Sequence, residues 1–172
     1  FTVLTVYYYR PMKVFAEKPF FLLLLPAFFM LHVLMENYVP GMTGTAIEQT
    51  LLFSGAGIVL TALFYLLFRH LRKAALLTFY LLAFNFFFGS LHDWAKVQWG
   101  ANVLVVRYVF IIPLSLLLLV ALAICLKRSR QPFLKITLFL NLLFGLLIVV
   151  DLVSLLPRVL NKERYSTPDL SS

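Results

Sequence analysis

Eight side chains carry the chemistry this leucine- and phenylalanine-rich chain has to offer: His32, Glu36, Asn85, His92, Asp93, Trp94, Asn141 and Asp151. Asp151 is the most informative. It falls inside the apolar run 136–156, and an ionisable group within a membrane-spanning segment is costly and marks a functional position by default. It suits a substrate-headgroup contact or a proton contact. The plainer alternative is a carboxylate near enough to the surface to stay hydrated, or one paired with Arg158.

His32 and Glu36 are spaced i, i+4, so a helix would put them on one face. An imidazole and a carboxylate there suit zinc ligation or a proton relay, but zinc needs at least one further ligand. His92 and Asp93 could supply it, although no spacing requires that. Interfacial polar anchoring explains the same residues without a metal. Asn85 and Asn141 fit interhelical hydrogen bonds, which average about 0.6 kcal/mol each. Trp94 and Trp99 flank Lys96, and amphipathic rings favour the headgroup level. They make either a lipid-headgroup surface or a passive aromatic belt on a short interfacial helix.

Nucleophilic catalysis finds no support. Cys125 lies in an apolar run, where the thiolate is disfavoured, and no serine stands in a nucleophile elbow. The small-residue cluster Ser54-Gly55-Ala56-Gly57 permits close helix packing and lacks the lysine of a phosphate-cradling loop. There is no complete catalytic constellation. No cofactor is expected in this segment.

These residues are positioned by five apolar stretches: 20–35 (extendable to 38), 51–68, 74–91, 108–126 and 136–156. A spanning helix needs about 20 mostly apolar residues, and lipid leaves backbone groups no partner except within a helix or closed barrel. Runs such as Leu22–Leu25 and Leu116–Leu119 do not alternate, which argues against a barrel. The chain is 62% hydrophobic and 13% charged, where soluble domains carry roughly a quarter charged residues. A water-soluble fold of 172 residues could not hide so much apolar surface. Pro26 and Pro113 are expected to kink their helices.

The net charge of +8 comes from short clusters between the apolar runs, so it points to topology and anionic lipid, not to nucleic acid. Ten of the Lys and Arg residues fall on one side of the expected helices and five on the other. The positive-inside rule then puts the N-terminus in the cytoplasm and the C-terminus outside. The expected fold is all-α: a polytopic bundle of five transmembrane helices. Residues 1–18 form an interfacial segment, 19–157 the transmembrane domain, and 158–172 an extracytoplasmic linker beginning after Pro157. The first residue is Phe1, and the start of the protein is expected to precede it.

Lys18-Pro19-Phe20-Phe21, followed by Leu25-Pro26 and His32, resembles the opening span of the membrane domain ahead of some bacterial sulfatase-like domains. Arg72-Lys73-Ala74-Ala75-Leu76-Leu77-Thr78 resembles the entry to that domain's third span. Phe86-Phe87-Phe88-Gly89-Ser90-Leu91-His92 is similar to its aromatic exit. Those proteins belong to the alkaline phosphatase superfamily, near phosphoethanolamine and glycerol-phosphate transferases. The resemblance implies a five-helix anchor in a bacterial inner membrane, preceding a metal-dependent domain on the outer face. Thr167-Pro168-Asp169-Leu170 resembles the start of that domain, whose nucleophile and divalent-metal ligands would lie beyond residue 172. No catalytic residue carries over to this segment. The alternative is a non-catalytic integral membrane subunit of a larger complex, with lipids and other membrane subunits as partners.

Overall fold

Long apolar runs in lipid satisfy their backbone only by closing hydrogen bonds within each run. The computed structural model describes residues 17–36, 42–99 and 108–165, and five α-helices account for nearly all of them. These are α1 (Phe21–Glu36), α2 (Met42–Phe68), α3 (Leu71–Trp99), α4 (Tyr108–Arg128) and α5 (Leu134–Tyr165). The chain is therefore all-helical, and α2 to α5 are long and apolar enough to cross a membrane. Helix α1 covers 16 residues. At 1.5 Å per residue that is about 24 Å, short of the ~30 Å of a hydrocarbon core.

Three boundaries differ from the sequence expectation. Helix α2 starts at Met42 instead of 51. Helix α3 runs unbroken to Trp99, so His92, Asp93 and Trp94 sit on the same helix as the span, not in a loop or a separate interfacial helix. No proline interrupts residues 89–99, and Lys96 Nζ lies 3.4 Å from Asp93 Oδ1, an i, i+3 pair that suits a helix. Helix α5 passes Pro157 and makes 158–165 helical where a linker was expected. A proline removes one backbone bond without ending the ladder, and Lys162-Glu163-Arg164 are good helix formers. The interfacial segment expected over residues 1–18 lies outside the described residues except at its last two positions.

Helix α1 is the hub. It packs against α5 on one side and the α2–α3 pair on the other, while α4 packs chiefly against α3. Phe21 meets Asn141 near one end of α1 and His32 meets Asp151 near the other, so α1 and α5 run parallel. Thr61 meets Thr78, making α2 and α3 antiparallel, and Tyr80 meets Ser115 while Phe88 meets Tyr108, making α3 and α4 antiparallel. One end of the bundle is tied by cations. Arg72 donates to the Pro132 and Glu17 carbonyls (3.0 and 3.3 Å), and Lys73 to the Ser129 carbonyl (2.6 Å). The basic connections 69–70 and 129–133 thus share an end with the start of α1.

Gly57 is the described glycine that lies against neighbouring helices. A β-carbon there would lie 3.2 Å from Leu82 Cδ1 and 3.9 Å from the Leu22 carbonyl oxygen. That carbonyl is the one Pro26 leaves without its i+4 donor, so the bare glycine faces the gap the proline makes. Phe21, Phe79, Phe144 and Phe28 form a chain of ring contacts (5.4, 5.8 and 5.9 Å) joining α1, α3 and α5. The outer surfaces are apolar. Only 11% of the most hydrophobic windows of α2 and α4 is buried, so their solvent must be hydrocarbon. Arg69 and Phe133 have positive φ (50° and 54°) beside the ends of α2 and α5, a conformation costing roughly 1–2 kcal/mol. The Arg69 N–H donates to the Tyr65 carbonyl (2.7 Å), and Phe133 packs against the core, which offsets that strain.

Candidate functional site

The parallel pairing of α1 and α5 brings together three of the residues singled out by sequence. His32 Nδ1 lies 3.2 Å from Asp151 Oδ2, and His32 Nε2 lies 3.5 Å from Glu36 Oε1. Side-chain exposure rises along this row from 9% at Asp151 to 40% at His32 and 60% at Glu36. The ring is held from below by Phe28, one turn earlier on α1, which stacks on it at 5.5 Å and 27°. Phe28 in turn contacts Phe144 of α5, so the same packing that joins the helices orients the imidazole.

An imidazole with a carboxylate at each nitrogen has defined chemistry. The Nδ1 is at hydrogen-bond distance from Asp151, and Glu36 stands at ion-pair distance from Nε2; an imidazolium has a donor on each nitrogen, a neutral imidazole on one only. The row therefore offers a proton route from a buried carboxylate through a half-exposed ring to an exposed one. Among the described residues no group of three or more His, Cys, Asp or Glu is arranged to hold a metal ion. With both ring nitrogens of His32 facing carboxylates, relay chemistry fits better than ligation. Asp151 pairs with His32, and its expected alternative partner Arg158 has its side chain outside the described residues.

Asn141 does a different job. Its Oδ1 accepts from the Phe21 N–H (2.7 Å) and its Nδ2 donates to the Lys18 carbonyl (2.8 Å), at 1% exposure. The first N–H groups of a helix have no intrahelical partner. A side chain from α5 thus caps the start of α1. The expected interhelical hydrogen bond exists, but its partners are backbone atoms.

The remaining candidates lie elsewhere. His92 is 5% exposed in the contact between α3 and α4, stacked on Tyr108 at 4.4 Å and near Phe88 at 6.0 Å. Asp93 and Trp94 are exposed on the same turn, Trp94 at 53%. Asn85 is exposed at the middle of α3. Sequence reasoning missed the Thr61–Thr78 hydroxyl contact (3.0 Å), each hydroxyl also near a carbonyl one turn back, and the Tyr80 hydroxyl donating to the Ser115 carbonyl (2.9 Å). Lone hydroxyls inside apolar runs were the available signal for both. Comparison with known protein families, with curated proteins and with solved structures finds no match to this chain.

Proposed function

We propose that this chain is a five-span membrane anchor with its N-terminus in the cytoplasm, whose last helix leads outward to a domain on the opposite face. One observation carries the reading. Helix α5 is fastened near both ends of α1, by Asn141 and by Asp151, and then continues helically to Tyr165. Its 32 residues make about 48 Å of helix, well beyond a ~30 Å hydrocarbon core. A helix fixed in the membrane and rigid beyond it holds whatever follows at a set height and orientation. The resemblance to anchors of sulfatase-like and phosphoethanolamine-type transferases supplies the class of that domain, a metal-dependent hydrolase or transferase of a bacterial inner membrane. In this reading the segment itself performs no catalysis, and the His32 row lies at the outer face.

The test is side-specific labelling. In a Cys125→Ser background, Gln131→Cys should react with an impermeant maleimide only from the cytoplasmic side and Ser166→Cys only from outside. Labelling of both from one side ends the anchor reading. A coding sequence that stops at Ser172 would remove the domain it presents.

Asn85 favours a second reading, a non-catalytic subunit of a larger membrane assembly. An amide at mid-helix facing outward gains most from a partner helix that hydrogen-bonds it. Copurification with other membrane proteins in fixed ratio, lost on Asn85→Leu, would select this reading.

A further inference from the structure

At the end of the bundle opposite His32, α1 and α2 diverge around an apolar groove of about 710 Å³. Pro19, Leu22 and Leu23 form one wall, and Ile58, Ala62 and Leu66 the other. Ile58 and Leu66 are 59% and 75% exposed, so the groove opens sideways into the membrane. Any such hollow takes up some hydrocarbon. The basic residues next to its lining in the chain set this one apart. Lys18 immediately precedes the groove residue Pro19, and Arg69 and His70 fill the connection between the groove residues Leu66 and Leu71.

Among the described residues, the Lys18 and Arg69 side chains are not used by the fold. Arg72 and Lys73, at the same end, are committed to backbone carbonyls. The side chains of Lys18, Arg69 and His70 are exposed, and no hydrogen bond or ion pair holds them among the described residues. Glu17 is the acidic residue beside them in sequence; against Lys18 and Arg69 it leaves the mouth net positive.

We propose that the groove is a binding site for one anionic phospholipid, with an acyl chain along α1 and α2 and the phosphate against Arg69 and Lys18. Hydrocarbon complementarity and charge complementarity meet at one place, which neither a neutral lipid nor an apolar peptide would use in full. The site does not depend on the anchor reading, because an anionic lipid can be supplied from either leaflet.

The test uses the full chain in vesicles of about three parts phosphatidylcholine to one part phosphatidylglycerol. Photo-leucine replaces Leu66, and intact-mass spectrometry reads the adduct after irradiation. The expected adduct is one phospholipid, with phosphatidylglycerol enriched above its share of the vesicle. Lys18→Gln and Arg69→Gln each lower the ratio of phosphatidylglycerol to phosphatidylcholine adduct about five-fold. Ala62→Trp, at an exposed position, fills the groove and suppresses the adduct. Photo-leucine at Leu117, in the uncharged hollow on α4 lined by Pro113 and Ala121, gives adducts in the bulk lipid ratio. The proposal is overturned if position 66 also reports the bulk ratio, if Ala62→Trp changes nothing, or if the adduct forms on residues 1–16 or on a second copy of the chain.

Discussion

Two polar fasteners hold the same helix pair, and they are built on opposite principles. Near the start of α1, Asn141 is neutral, 1% exposed, and bonded to the backbone of Phe21 and Lys18. Near its end, Asp151, His32 and Glu36 are all ionisable and grow steadily more exposed. The first fastener cannot change state without breaking. The second sets an imidazole between two carboxylates. The neutral attachment and the ionisable one are placed about ten residues apart on α5.

Breaking the first should cost most. Asn141→Leu strands the Phe21 N–H in a buried site and leaves the Lys18 carbonyl with the Phe20 N–H alone, and about 2 kcal/mol should be lost, lowering the apparent Tm in detergent by about 4–8 °C. A Tm unchanged within error would mean water reaches these groups and the cap is not structural. Asp151→Leu should cost about 1 kcal/mol, since His32 keeps Glu36 and is partly hydrated; equal losses from Asp151→Leu and Asn141→Leu would erase the contrast. The double variant should be additive within about 0.5 kcal/mol, because the sites lie about 15 Å apart along α5. Thr78→Val, which removes a hydroxyl contact within the α2–α3 pair, should cost about 0.6 kcal/mol and serves as the ordinary interhelical standard. Glu36→Gln should shift stability by less than about 0.5 kcal/mol, given its exposure, yet change the histidine tautomer signals of His32 by NMR.

The helical class was legible because unbroken apolar runs have few solutions in lipid. Asp151 and His32 were legible as lone ionisable groups in such runs. Their meeting was not, because it depends on α1 and α5 packing in parallel across 119 positions of chain, and nothing in either run's periodicity names its neighbour. The role of Asn141 was hidden for a different reason. Its partners are an N–H and a carbonyl, which every residue carries and no sequence pattern marks. Helix ends were misjudged where polarity rises but the backbone continues, as over Thr43–Gln49 and His92–Trp99. Counting Arg72 and Lys73 as topological charges also missed that both tie helix connections through carbonyls.

Among these five helices the hub α1 is made first and its closing partner α5 last. Phe21 waits 120 residues for Asn141. At about 5–20 residues per second of translation, α1 spends roughly 6–24 s on a growing ribosome before that amide arrives. Throughout that interval α1, with a proline in its middle, lacks the cap at its beginning and has the α2–α3 hairpin to pack against. Assembly of the five helices is thereby tied to completion of α5, and a nascent chain cut short before α5 should be unable to mature.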